Sequence, residues 1–184
     1  MPAESTAGNI SVFIVMGVSG SGKSTIAKGL ADRLGWRYED GDDFHPQSNI
    51  DKMRAGHPLT DEDRWPWLRA IAAHIDALRA RGEKSIIACS VLKRAYRDII
   101  IGDRPDVRLV YLKGDRDLIA KRIAGRKDHF MPPDLLDSQF ATLEEPKPDE
   151  NPLTVSIAPK PHDIVDAIVK KLKPAHQPQS EYRT

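Results

Sequence analysis

An apolar run, Ile10-Ser11-Val12-Phe13-Ile14-Val15-Met16, passes without a break into Gly17-x-x-x-x-Gly22-Lys23-Ser24. That pattern is a phosphate-binding loop, and it works only with a strand before it and a helix after it. Glycines at 17, 20 and 22 open backbone conformations closed to other residues, so that successive N–H groups face phosphate oxygens. The helix beginning near Gly22 adds the positive end of its dipole at the same point. The loop residues Gly17, Val18, Ser19, Gly20, Ser21, Gly22, Lys23, Ser24 and Thr25 therefore form a nucleoside triphosphate site. Lys23 reaches the β- and γ-phosphates, and the Ser24 hydroxyl suits Mg²⁺.

A chain of 184 residues is long enough for one domain with a full core. Apolar segments of strand and helix length alternate along it, which predicts a parallel sheet with helices on both faces. Strands are expected at 10–16, 36–39, 85–89, 107–112 and 153–157. The helix after the first strand carries Ile26, Ala27, Leu30 and Leu34 on one face, and another is expected with Pro46 at its first position. Thr60 reads as the N-cap of a third, with Asp61, Glu62 and Asp63 in the first turn and an apolar stripe of Leu68, Ile71, Ile75 and Leu78. The domain spans 10–173, between flexible tails at 1–9 and 174–184. Residues 126–152 hold five of the 14 prolines and read as a mobile lid around a short helix at 134–143.

Composition removes several classes of function. Lys plus Arg (28) nearly equal Asp plus Glu (27), so no overall field recruits nucleic acid or an anionic membrane. The single cysteine, Cys89, excludes an intramolecular disulfide and reads as a small buried hydrophobe. No signal peptide or transmembrane-length apolar stretch is visible, and the expected location is cytoplasmic.

In an open parallel sheet, ligands bind beyond the carboxyl ends of the strands, and three charged clusters fall at such ends. Asp40, Asp42 and Asp43 follow the second strand, with His45 next to them. Their mutual repulsion needs Mg²⁺, a hydroxyl-rich substrate, or the solvated cap of the next helix to offset it. Ser90, Lys93 and Arg97 follow the third strand. Lys93 and Arg97 lie four apart and either hold an anion jointly or form a solvated basic face. Arg122 and Arg126 fall on the inward sector of the helix after the fourth strand, among Leu118, Ile119 and Ile123. An inward arginine needs an anion, either a triphosphate or an acid such as Asp117.

Together these segments resemble the gluconokinase family, among the P-loop kinases that include shikimate and adenylate kinases. The resemblance is carried by Met16–Ser24, by Asp40-Gly41-Asp42-Asp43-Phe44-His45-Pro46, and by Pro58-Leu59-Thr60-Asp61-Glu62-Asp63-Arg64. It continues through Pro66-Trp67-Leu68, Cys89-Ser90-x-Leu92-Lys93, Tyr96-Arg97-Asp98, Arg126-Lys127-x-His129-Phe130 and Gln139-Phe140-x-Thr142-Leu143-Glu144. It spans about residues 12–172, and Val91 stands where the family pattern has alanine. The resemblance implies a P-loop NTPase fold of α/β class: a five-stranded parallel sheet flanked by helices, with a mobile lid segment. The implied reaction is ATP-dependent phosphorylation of D-gluconate to 6-phospho-D-gluconate, with Mg²⁺ on Ser24 and Asp40. Asp42 is the implied partner of the attacking hydroxyl. Arg122 and Arg126 would close on the phosphates, with Lys23 as the third cation. Arg54, Arg64, Lys93 and Arg97 become candidates for the acceptor's carboxylate and hydroxyls, joined by His45, Ser90, His129 and Gln139. A homodimer is implied as well. Two alternatives stay open: the same kinase fold with another acceptor, such as shikimate or a nucleotide, and a non-enzymatic nucleotide switch. The GTPase signature Asn-Lys-x-Asp is absent, which weighs against the switch.

Overall fold

The structure is a computed structural model that describes residues 9–125 and 133–172. Its centre is strand β1 (Val12–Met16), every residue of which is buried. The apolar run places β1 between two parallel neighbours, β3 (Ser85–Ala88) and β4 (Val107–Lys113). Outside them lie β2 (Arg37–Asp40) and β5 (Leu153–Ser156), in the order β2-β3-β1-β4-β5, all parallel.

Strand period sends alternate side chains to opposite faces, and β1 shows what that does here. Phe13 and Val15 enter a core shared with helix α1 (Lys23–Leu34) and helix α7 (Pro161–Leu172). Val12, Ile14 and Met16 enter a second core under helix α3 (Asp61–Arg81) and helix α4 (Arg94–Ile100). The predicted α3 stripe of Leu68, Ile71, Ile75 and Leu78 is wholly buried there. Each such side chain contributes on the order of 1.5–3 kcal/mol. Thr60 caps α3 through the Asp63 N–H, and Asp63 returns the bond to the Thr60 N–H at 2.8 Å.

The remaining helices are short and frame the cleft end. Helix α2 (Gln47–Arg54) begins one residue later than expected, with Pro46 as its N-cap. Helix α5 (Arg116–Ala124) is capped by Asp115, and helix α6 (Pro133–Thr142) lies where the lid helix was expected. Residues Leu143–Glu150, also assigned to the lid, are tied to α4 and the loop before it: Glu144 N–H donates to Leu92 O at 2.8 Å, and Arg94 pairs with Asp149. Both predicted tails, apart from Asn9, and lid residues 126–132 lie outside the described residues. The order reverses around β1, so the crevice at the carboxyl ends of β1, β2 and β3 is the topological switch point.

Candidate active site

The loop after β1 is shaped by two left-handed glycines and one close approach. Gly20 (φ 83°) and Gly22 (φ 92°) take backbone conformations that side chains disfavour. Gly17 is required for a different reason: a Cβ there would meet Ser21 Oγ at 2.5 Å. Helix α1 starts at Lys23 with no side-chain cap, so its first amides point into the loop. Lys23 folds back over that loop, its Nζ donating to Gly17 O and Val18 O at 3.1 Å each. Burial lowers the Lys23 pKa against the upward pull of neighbours that include Asp42 and Asp40. An ammonium held this way loses little further hydration when a phosphate replaces the carbonyls. Ser24 and Thr25 sit exposed in the first turn of α1.

The acidic turn stands across the cleft from the loop. Asp40 ends β2 and caps a 3-10 turn, Gly41–Phe44, by accepting the Asp42 N–H at 2.9 Å. This leaves the Asp42 side chain four-fifths exposed to the cleft. Loss of surrounding water and then the Asp40 charge raise the Asp42 carboxyl above its usual range, with Lys23 opposing. The turn is fixed from behind by Trp67, whose Nε1–H donates to Gly41 O at 2.7 Å. Trp67 also stacks on His45, with centroids 4.2 Å apart and planes 14° from parallel.

His45 is nearly enclosed, its side chain 5% exposed. Burial, and then the positive charge of Arg64, hold its pKa below the usual value, so the ring is neutral near pH 7. Asn49 Nδ2 lies 3.2 Å from His45 Nδ1 and donates to it, and a neutral ring then carries its proton on Nε2. That nitrogen sits 3.9 Å from Asp42 Oδ1.

Beyond His45 the cleft turns cationic. Arg64 Nη1 donates to Leu59 O at 2.9 Å and lies 3.3 Å from the Tyr96 hydroxyl. Arg64 and Lys93 both approach the Tyr96 ring, at 5.6 and 5.7 Å from its centroid. Tyr96 donates its hydroxyl proton to Asp61, and Lys93 Nζ lies 3.2 Å from both Asp61 oxygens. Hydrogen bonds from Tyr96 and then Lys93 hold Asp61 below the usual carboxylate range. One carboxylate thus faces two cations, and the group keeps a net positive charge.

Most of the predicted residues converge on one cleft of about 880 Å³: Ser19, Gly20, Lys23 and Ser24 from the loop, with Asp40, Asp42, His45, Arg64, Ser90 and Gln139. Gln139 reaches in from α6, its Oε1 accepting the Ser19 N–H at 2.6 Å. Trp67, Tyr96, Met53, His57 and Leu135 line the same cleft and were not among the predicted site residues. For Trp67 and Tyr96 the signal was a polar atom on an otherwise apolar helix face, since buried Trp and Tyr seek a hydrogen-bond partner.

Three expectations are corrected. Arg97 does not reach the cleft: it is buried against Glu150, with Nε to Oε1 at 2.6 Å, and shares no anion with Lys93. The i to i+4 spacing put both on one helix, but Lys93 is the residue before α4 and turns instead to Asp61. Arg54, at the end of α2, is exposed and outside the cleft lining. Arg122 is neither in the core nor paired with Asp117: it is half-buried, with Nη2 donating to Ala158 O at 3.2 Å. Arg126 and His129 lie outside the described residues.

A family model described as AAA domain (AAA_33) matches residues 12–146. The thermoresistant gluconokinase of Escherichia coli K12 is 42% identical over 166 residues, covering 88% of this chain and 95% of that protein. The gluconokinase of Gluconobacter oxydans is 42% identical, covering 86% of this chain and 89% of that one. The crystal structure of a gluconokinase from Sinorhizobium meliloti 1021 superposes with a TM-score of 0.79 at 40% identity, covering 88% and 91% of the two chains. The α/β P-loop kinase described above belongs to the gluconokinase family.

Proposed function

We propose that this kinase transfers the γ-phosphoryl group of ATP to the terminal hydroxyl of D-gluconate, giving 6-phospho-D-gluconate. The observation that carries the reading is the order of charge along one cleft. Lys23 and the loop amides stand at the nucleotide end, Asp42 follows, then neutral His45, then Arg64 and Tyr96, backed outside the lining by the Lys93–Asp61 pair. A small polyol acid matches that order, with its reactive hydroxyl at Asp42 and its carboxylate toward Arg64. A phosphorylated acceptor would place its anion against Asp40 and Asp42, which favours the sugar acid over a nucleotide.

In this reading Asp42 orients the attacking hydroxyl and takes up its proton. Its raised pKa brings it nearer the operating pH, as suits a general base. His45 Nε2–H and the Ser90 hydroxyl offer hydrogen bonds to the polyol chain. Lys23 neutralises charge on the transferring group, and loose phosphoryl transfer depends chiefly on such positioning and charge. Arg126 would act on the phosphates and His129 on the acceptor, as the family pattern implies; Arg122 could join them only by releasing Ala158 O. Ser24 and Asp40 suit Mg²⁺: both line the cleft, both offer hard oxygen ligands, and Asp40 spends only Oδ1 on the Asp42 amide. When bound, that ion would offset charge on the phosphates. Family membership further supports a homodimer and a cytoplasmic location; among the described residues no helix is long and apolar enough to cross a membrane.

A coupled ADP-release assay decides the acceptor. Turnover is expected with gluconate and not with shikimate, a nucleoside monophosphate or water alone. Turnover that ignores gluconate would refute the reading.

A further inference from the structure

We infer that the buried Arg97–Glu150 pair is a positioning strut that sets the Ser90–Leu92 loop and the end of α6 in one register around the phosphoryl acceptor. Arg97 is 2% exposed, and the side chain of Glu150 is 8% exposed, so neither is available to a ligand. Every nitrogen of the fork is used. Nε and Nη2 contact the two Glu150 oxygens at 2.6 and 3.3 Å, while Nη1 donates to Val91 O and Leu92 O at 3.0 and 3.1 Å.

Those two carbonyls belong to a strained turn. Val91 is buried and β-branched, yet its φ is +32°, a conformation that costs on the order of 1–3 kcal/mol and persists only when its surroundings impose it. The turn places Ser90 and Leu92 in the cleft wall. Leu92 O has a second donor, the Glu144 N–H at 2.8 Å, and the Glu144 carboxylate accepts the Arg94 N–H at 3.1 Å. Glu144 lies two residues beyond α6, whose Gln139 and Thr142 line the same cleft. Arg97 therefore joins the acceptor loop on one side to the segment leaving the lid helix on the other. No other arginine–carboxylate pair among the described residues is this enclosed.

A purely stabilising pair would act on the whole fold, whereas a strut acts on the two segments that it joins. Lysine at 97 keeps the charge but cannot span the carboxylate and both carbonyls. Hydrogen exchange of the nucleotide-free full chain provides a readout independent of any acceptor. In Arg97→Lys and Glu150→Gln, peptides covering 90–92 and 139–144 are expected to exchange about tenfold faster, with the Gly17–Ser24 loop unchanged. The kinetic arm rests on the gluconokinase reading: the KM for gluconate rises about tenfold, since small misplacements of a bound acceptor are costly, while ATP-analogue affinity stays within twofold. Arg79→Gln, which breaks hydrogen bonds to Asp76 and Asp106 and none to either joined segment, serves as the control and should leave both readouts unchanged. Exchange spread evenly over the chain, or an unchanged gluconate KM in an enzyme that turns over gluconate, would overturn the strut. A wild-type chain inert toward gluconate would instead overturn the acceptor assignment and leave the exchange result to decide the strut. If Glu150→Gln does not fold, Arg97→Lys carries the comparison.

Discussion

Gln139 of helix α6 holds the Ser19 amide of the phosphate-binding loop, with Oε1 2.6 Å from the nitrogen. An amide that a phosphate oxygen could use is thus satisfied by a side chain from α6, 120 residues away in sequence. The contact links the phosphate-binding loop and α6 directly, without passing through the sheet.

Breaking that link should loosen α6 and leave the loop intact. A neutral hydrogen bond contributes about 0.5–1.5 kcal/mol net, so Gln139→Ala is expected to raise the gluconate KM roughly 2–10-fold. ATP affinity should change less than threefold, because the loop glycines and Lys23 remain. Initial rates over both substrates, with analogue titration, separate the two. A large loss of nucleotide affinity would place Gln139 in the ATP site itself.

Asp42 carries opposed demands. Its carboxyl is raised by lost hydration and by Asp40, so the folded state binds that proton more tightly than the unfolded chain does. The corresponding stability is present below the ordinary aspartate pKa and is lost as pH rises through the raised value. Ionised Asp42 therefore destabilises the fold at pH 7, where the proposed chemistry needs it ionised. Asp42→Asn is expected to lower kcat by at least about 10²-fold and to raise Tm at pH 7, with the gain shrinking toward pH 3. Calorimetry across pH beside steady-state rates tests both; a lower Tm at pH 7 would contradict the charge argument.

The parts of this site that were legible in sequence are those encoded over a few residues. Glycine spacing after an apolar strand specifies the loop, and Asp40-Gly41-Asp42 at a strand end specifies an acidic turn. Thr60 with three acids after it specifies the start of α3. Arg97 was misread because its partner, Glu150, lies 53 residues on, in a proline-rich stretch that looked like lid. Periodicity could place Arg122 on an inward sector of α5, yet its guanidinium is taken by Ala158 O, 36 residues away in the turn beyond β5. Trp67 lay outside the predicted stripe of Leu68, Ile71, Ile75 and Leu78, and its bond to Gly41 depends on a turn 26 residues earlier.

His45 should give the fold a second pH dependence. Its pKa is held down by burial and then by Arg64, so the folded state prefers the neutral ring. The stability from that preference is complete above the ordinary histidine pKa near 6.5 and is lost as pH falls through the depressed folded value. His45→Gln is expected to flatten the fall in Tm between pH 6.5 and the acid side of the histidine range, with little change above pH 7. A slope equal to the wild type would assign the acid loss to other groups.

Trp67 supports the acidic turn twice, through its N–H and through its ring. Trp67→Phe removes the bond to Gly41 O and keeps a ring against His45, while Trp67→Leu removes both. Leaving a buried carbonyl without a donor costs about 1–3 kcal/mol, and the lost aromatic contact about 0.5–1.5 more. At about 2–4 °C per kcal/mol in a domain this size, the two variants should melt in the order Leu below Phe below wild type. Catalysis should separate them differently. Gly41 precedes Asp42, so the lost N–H alone should lower kcat in Trp67→Phe, whereas tilting of His45 should raise the gluconate KM only in Trp67→Leu. Equal KM effects in the two variants would mean that the stack does not orient His45, and the imidazole would then be held by Asn49 alone.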